Sequence, residues 1–290
     1  MSIKLLEKYY MLLFAVVIML SGLGTYFSAP LELSNLFDTT YLVTGQTLGA
    51  GLILLVVNFY LKPHLSKDWI LKASIFLNLA LMVGFVFVGL HLGGRGPVLS
   101  MMLALFIFLG LAYANGAIDI AHRKYIGFIL ASFICIISAL KLTIGLNSIP
   151  FFQRMASAFS PHKFDESLAL RLSYYKSALK CFLGHPLKGI GLGGWPAYYG
   201  LSDVEWHPHN IILEIASETG IFGILSMSLF FSYVFWQFIR QYSFKNSLST
   251  STLLLLVFAG FNALKSGDIN DNILLFTVMG LFSALNTKVK

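Results

Sequence analysis

Long apolar runs separated by short polar breaks set the organisation of this chain. After Lys4 and Lys8 an apolar run extends to Phe27, and further runs cover residues 41–61, 69–90, 97–115, 125–146, 209–239, 250–264 and 272–285. Most have the ~20 residues a helix needs to cross a bilayer; the last two are shorter. Only helices or closed barrels satisfy the backbone in lipid, and runs of this length fit helices. The pattern therefore predicts an all-α fold, a polytopic transmembrane helix bundle of about eight spans. The first run ends Phe27-Ser28-Ala29-Pro30. A large Phe would stand three residues before a cut after Ala29, so the run is expected to stay as an anchor and not to leave as a signal peptide. Gly45, Gly49, Ala50 and Gly51 gather small residues in the second run, as close helix packing requires. Pro97 suits the first turn of the fourth, where a missing N–H costs nothing.

Residues 147–208 break the pattern, a stretch of about 60 residues too polar to span. Within it, Leu168, Leu172, Tyr175, Leu179 and Phe182 recur at helical period, with Arg171, Lys176 and Lys180 on other faces. That predicts a surface or interfacial helix over 166–182, closed by Gly184 with Pro186 beyond. The chain thus divides into spans over 1–146, a long, partly helical loop over 147–208, and further spans over 209–290.

Composition agrees. Of 290 residues, 57% are hydrophobic and 11% charged, against about a quarter charged in soluble domains; the chain reads as an integral membrane protein. The net charge of +7 comes with no basic block of the kind that binds nucleic acid. What matters is where the cations sit. Lys4, Lys8, Lys62, Lys67, Lys72, Arg123, Lys124, Arg240, Lys245, Lys288 and Lys290 fall on one side of an eight-span topology; short loops on the other side hold only Arg95 and Lys265. By the positive-inside rule the first side is cytoplasmic. Both termini are then cytoplasmic, and Arg95, the long loop and the two histidines ahead of the sixth span face outward. The two cysteines, Cys135 in an apolar run and Cys181 in the polar loop, suggest neither a disulfide framework nor a zinc site.

The candidate chemistry gathers where the long loop re-enters the membrane, at His207-Pro-His209-Asn210 and on to Glu214 and Glu218. Ionisable groups at the mouth of an apolar segment tend to mark function. A neutral imidazole takes a proton from a hydroxyl readily, which makes His209 a candidate general base. On residue chemistry alone, the plainer reading of a helix start capped with Asn210 has the edge. His207 and His209 are also half a metal site, but no further His or Cys cluster accompanies them. Asn210, Glu214 and Glu218 share one helix face, where a carboxylate could orient an imidazole or a sugar hydroxyl; the plainer reading of Glu218 is a hydrogen bond to a neighbouring helix near Gly220. Arg95, between two glycines, and Arg171, on the loop helix, could grip phosphate bidentately, or could be a snorkelling and a solvated arginine. Gly189-Ile-Gly191-Leu-Gly193-Gly194 lacks the lysine of a nucleotide loop and reads as a flexible hinge closing over a site. Trp195, Tyr198, Tyr199 and Trp206 read as an interfacial aromatic belt, with sugar stacking the sharper alternative.

Three blocks of this chain resemble the O-antigen ligase and O-antigen polymerase family of bacterial membrane glycosyltransferases. The first is Gly94-Arg95-Gly96, with Gly94 where the family pattern has Ser. The second is Arg171, a helix, then Pro186-Leu-Lys-Gly189-Ile-Gly191. The third and most specific is His209-Asn210-x-x-Leu213-Glu214-x-x-x-Glu218-x-Gly220-x-x-Gly223. The resemblance covers residues 72–240. It implies transfer of a glycan, at the periplasmic face of the inner membrane, from a polyprenyl-diphosphate carrier to an acceptor, with no metal, nucleotide or other cofactor. The acceptor would be lipid A–core oligosaccharide for a ligase, or another lipid-linked repeat for a polymerase; some relatives glycosylate proteins. His209 would be the base, Arg95 and Arg171 the diphosphate ligands, and His207, Asn210 and Glu214 further substrate-binding residues. Family members usually carry ten or more spans, and the resemblance places the difference at the N-terminal side. The ligase reading stands slightly ahead of the polymerase; a transporter of an anionic solute and a non-catalytic partner in envelope-glycan assembly are the readings from other classes. No internal repeat of the transporter type is visible.

Overall fold

The computed structural model describes residues 37–61, 95–116, 152, 153, 156, 166–201, 206–265, 267–269 and 271–285. Seven helices are described: α1 Phe37–Leu61, α2 Arg95–Ala114, α3 Glu166–Gly184, α4 Trp195–Tyr199, α5 Ile211–Gln241, α6 Ser247–Ala263 and α7 Ile273–Leu285. No strand occurs among the described residues. The all-α expectation is met, and α1, α2, α5, α6 and α7 fall on predicted spans. Of these, α2 and residues 211–240 of α5 are long and apolar enough to cross a membrane, whereas α6 is shorter. The first, third and fifth predicted spans, at 10–27, 69–90 and 125–146, lie outside the described residues.

The chain separates into two compact units, residues 1–156 with 243–258, and residues 157–242 with 259–290. In the first, α1 and α2 pack together. The buried stripe of α2 is Pro97, Ser100, Ala104, Phe108 and Ala112, one face at helical spacing. Pro97 occupies the first turn as expected, and Ser100 Oγ donates to the Gly96 carbonyl at 2.9 Å. The small residues of α1 meet bulky neighbours: a Cβ on Gly45 would stand 2.9 Å from the Pro97 ring, and one on Gly49 2.5 Å from the Phe258 ring. The other side of α2 exposes Met102, Phe106 and Tyr113, a large apolar face of the kind water-facing helices avoid.

In the second unit α3 and α7 pack on α5, with the short α4 against both α3 and α5. The stripe of α3 that is buried is Tyr174, Ala178 and Cys181, with Trp195 of α4 completing the cluster. The helix expected over 166–182 is present, and its packing face is distinct from the leucine stripe. Leu168, Leu172 and Leu179 are about half exposed, so the leucine stripe faces away from this packing, and a narrower stripe with one small residue lets α3 approach α5. Cys181, read from sequence as a loop residue, is fully buried, and its Sγ donates to the Ser217 carbonyl. Trp195 is corrected likewise: its ring is fully buried against Tyr174, so it is core and not belt.

The backbone of α5 breaks at Gly220, where φ is 66° and ψ is −156°, a region open essentially to glycine alone. The break removes a helical hydrogen bond. Ile221 N–H donates instead to the Pro186 carbonyl at 2.8 Å, and the Ser217 carbonyl accepts Ile190 N–H at 3.1 Å. Gly191 N–H adds a bond to the Glu218 carbonyl at 2.9 Å. The glycine segment is thereby strapped to the broken helix by main-chain bonds, at groups that would be costly to leave unpaired. It is a clamp, not the free hinge expected from its composition. Gly189 makes the approach possible: φ is 64°, and a Cβ there would strike the Glu218 backbone.

Candidate active site

The second unit brings together five of the six site residues predicted from sequence: Arg171, His207, His209, Asn210 and Glu214. The sixth, Arg95, belongs to the first unit, half-buried as the first residue of α2.

Asn210 is the N-cap of α5. Its Oδ1 accepts Ile212 N–H and Leu213 N–H, both at 3.0 Å, the preferred way to satisfy first-turn amides. Its Nδ2 donates to the Leu264 carbonyl at 2.8 Å. The cap therefore also ties the start of α5 to the segment after α6. Arg171 Nη1 donates to the next carbonyl along, Lys265, at 2.9 Å. Glu214, buried at the first turn of α5, accepts Ile269 N–H on Oε1 at 3.4 Å, while its Oε2 has no hydrogen-bond partner among the described residues. Three sequence-predicted residues thus bond to the main chain of Leu264, Lys265 and Ile269. Asp268 accepts Asp271 N–H at 2.6 Å and, on its carbonyl, Asn272 Nδ2 at 2.5 Å.

His209 sits just before the cap with φ at 56°, the one non-glycine residue with positive φ among those described. A left-handed non-glycine residue is uncommon, although His, Asn and Asp adopt it more often than others, and it costs about 1–3 kcal/mol where surrounding contacts hold it. Here they do. Tyr175 Oη donates to the His209 carbonyl at 3.4 Å. The imidazole lies over the Tyr174 ring at 6.0 Å and meets the Trp206 ring edge-on at 5.9 Å. His207 Nε2 and His209 Nδ1 are 3.0 Å apart, and no described residue bonds His209 Nε2.

The electrostatics follow from burial and the Arg171 charge. Burial, then His207, then Arg171 push the His209 imidazole down to about 3. Burial also lowers His207, where Asp268 and Asp271 oppose the shift and Arg171 adds to it. Lys265, half-buried and acted on by the Arg171 charge, is pushed down to about 7 by desolvation first and then by Arg171; its Nζ lies 4.4 Å over the Phe261 ring. His209 is therefore neutral near pH 7, the state a general base requires, and the Arg171 guanidinium acts on it.

Sequence reasoning missed Lys265, Asp268 and Asp271 as site residues and treated 265–271 as a spacer between apolar runs. The signal was present in two carboxylates and an ammonium compressed into a short break between apolar segments. It also missed Tyr174 and Tyr175, whose contacts with His209 are purely tertiary. Among the described residues no three His, Cys, Asp or Glu side chains stand together as a metal site.

A family model described as O-antigen ligase matches residues 79–228, which include α2, the glycine clamp and the whole histidine motif. None of the curated proteins and none of the solved structures compared with the chain matches it.

Proposed function

The chain belongs to the O-antigen ligase family, and we propose that it transfers a glycan from a polyprenyl-diphosphate carrier to lipid A–core oligosaccharide. The observation that carries the proposal is the His209 imidazole: neutral, held on three sides by Tyr174, Trp206 and His207, with Nε2 unbonded among the described residues. An acceptor hydroxyl gives its proton to Nε2 as its oxygen bonds the anomeric carbon of the donor. The bond from that carbon to the diphosphate oxygen breaks, and the electron pair leaves on the diphosphate. Diphosphate is already a good leaving group, so the protein's main task is to stabilise the charge that develops there, which preorganised donors do in a site shielded from water.

Arg171 suits that task. Of its five N–H donors, one is on the Lys265 carbonyl, which fixes the guanidinium with the remainder available to a diphosphate. Arg95 is proposed as a second diphosphate ligand on its motif, Gly94-Arg95-Gly96, alone. Asn210 and Glu214 bond to Leu264 and Ile269, and the spare oxygen of Glu214 can take a sugar hydroxyl. The scheme uses no metal and no nucleotide. The exposed apolar side chains of α5, among them Phe222, Leu225, Leu229 and Trp236, suit a helix bordered by lipid, from which an isoprenoid carrier would arrive. The distribution of lysines supports a mouth on the periplasmic side with both termini in the cytoplasm, and the proposed reaction fits a protein of the inner membrane.

The test is a deletion strain whose envelope glycans are resolved on a gel. Free core oligosaccharide together with unlinked polymer on its carrier supports the ligase. Single repeats attached to the core assign the chain to polymerisation instead. Complementation with His209→Ala or Arg171→Ala is expected to restore insertion but not transfer; full transfer by both would remove the site assignment.

A further inference from the structure

His207 and His209 are two residues apart, yet their rings meet edge to face at 4.4 Å between centroids and 81° between planes. The backbone makes that meeting. A residue before proline is confined to extended conformations, Pro208 is buried, and His209 then turns left-handed. Trp206 stacks on the other ring, His207, at 6.2 Å and 26°. The two imidazoles share one short contact, His207 Nε2 to His209 Nδ1 at 3.0 Å. Between neutral rings only one of the two nitrogens carries the proton. If His207 donates, His209 bears its N–H on Nε2 and has no lone pair there. If His209 donates, Nε2 is left basic.

Charge decides between them. Asp268, Asp271 and Arg171 act on His207, whereas His207 and Arg171 act on His209; the Trp206 indole and the phenols of Tyr174 and Tyr175 also border His209. A ring that accepts a hydrogen bond gains positive character, and the two carboxylates favour that gain on His207. We propose that His207 is a positioning residue that accepts the Nδ1–H of His209 and so keeps the lone pair of His209 on Nε2. When Nε2 takes the acceptor's proton, the Nδ1–H bond to His207 strengthens, and the new charge is shared toward Asp268 and Asp271. This is the part an aspartate plays behind a histidine base elsewhere, performed here by a neutral imidazole backed by carboxylates. The proposal rests on His209 as the base of the proposed transfer.

The experiment uses full-length protein in nanodiscs with 15N-labelled histidine, and His209→Ala to assign the His209 signals. Wild type is expected to show the Nδ1–H tautomer at His209. His207→Gln, whose side-chain oxygen can accept the same bond, is expected to keep that tautomer and to transfer glycan within about fivefold of wild type. His207→Phe, of similar bulk but unable to accept, is expected to lose the single tautomer and about 10²-fold in kcat with the donor KM unchanged. An Nε2–H tautomer in wild type, or a His207→Phe protein with wild-type tautomer and kcat, overturns the proposal. A fully active His209→Ala removes the base reading instead, and the tautomer still decides what His207 does.

Discussion

Glu218 Oε2 accepts the backbone N–H of Gly193 at 2.9 Å, and Oε1 faces the N–H of Trp195 at 3.5 Å. One buried carboxyl group thus holds the end of the glycine clamp and the start of α4. From Trp195 the contact runs to Tyr174, whose ring is edge-on at 5.2 Å, and from Tyr174 to the His209 imidazole. Glu218→Ala leaves two amides without their acceptor, at about 1–3 kcal/mol for each that stays buried. Amides 190–195 are expected to exchange at least about tenfold faster, and transfer to fall with them. Unchanged exchange in Glu218→Ala would show that main-chain bonds alone hold the clamp.

Gly220 tests the clamp from the other side. Its φ of 66° excludes a side chain without strain, and a Cβ would stand 2.5 Å from the Leu187 carbonyl oxygen, 2.6 Å from the Leu187 carbonyl carbon and 2.8 Å from Gly189 N. All three are backbone atoms, so no rotamer relieves the clash. Gly220→Ala is expected to cost more than about 3 kcal/mol and to lower the thermal unfolding midpoint in detergent sharply. Gly260→Ala, with nothing within 4 Å of the new Cβ, is the control and should leave the midpoint unchanged. Equal midpoints for the two variants would mean that the break in α5 is not needed.

Arg171→Lys separates charge from geometry. A guanidinium can donate to the Lys265 carbonyl at 2.9 Å and still present a planar fork to a diphosphate; an ammonium is a compact charge that does one or the other. The variant is expected to fold, to raise the KM for a lipid-diphosphate donor, and to lower kcat/KM by at least about tenfold. Wild-type kcat/KM would show that the residue supplies charge alone.

Lys265 makes a prediction about stability. Burial first, and then Arg171, place its pKa at about 7 in the folded protein, against about 10.4 when unfolded. Between those values the unfolded chain binds more protons than the folded one, so stability rises with pH across that window. The unfolding midpoint is expected to climb between pH 7 and pH 9. Lys265→Met should remove the Lys265 contribution to that climb and raise the midpoint at pH 7. A flat wild-type profile would place the ammonium in water.

How much of this was legible in the sequence depends on the range of the interactions. His209, Asn210 and Glu214 were found because cap, helix face and histidine lie within six residues of one another, where local periodicity and chemistry speak together. Lys265 and Asp268 were not, because their link to the histidines runs through Arg171, Asn210 and Glu214, side chains more than fifty residues distant in sequence. The glycine clamp was misread for a related reason. Its hydrogen-bond partners exist only because α5 breaks at Gly220, and the apolar run continues past that glycine without a change of period. Trp195 looked like a membrane-interface aromatic because composition cannot tell a ring that faces Tyr174 from one that faces lipid headgroups.

The acid side of the pH profile bears on His209 itself. An exposed histidine would be half protonated at about pH 6.5, and a base of that kind loses activity below it. In this site burial, then His207, then Arg171 hold the imidazole neutral down to about pH 3. A lowered pKa keeps the lone pair available as pH falls but also weakens the base, so the profile should be flat, not steep. For glycan transfer, kcat/KM, which reports the free enzyme, is expected to be constant from pH 8 to about pH 5. Arg171→Gln removes a charge that opposes protonation, so whatever transfer it retains should begin to fall at a higher pH than in wild type. A wild-type acid limb near pH 6.5 would mean that His209 is open to water before substrate arrives, and that the cage of Tyr174, Trp206 and His207 forms only around bound glycan.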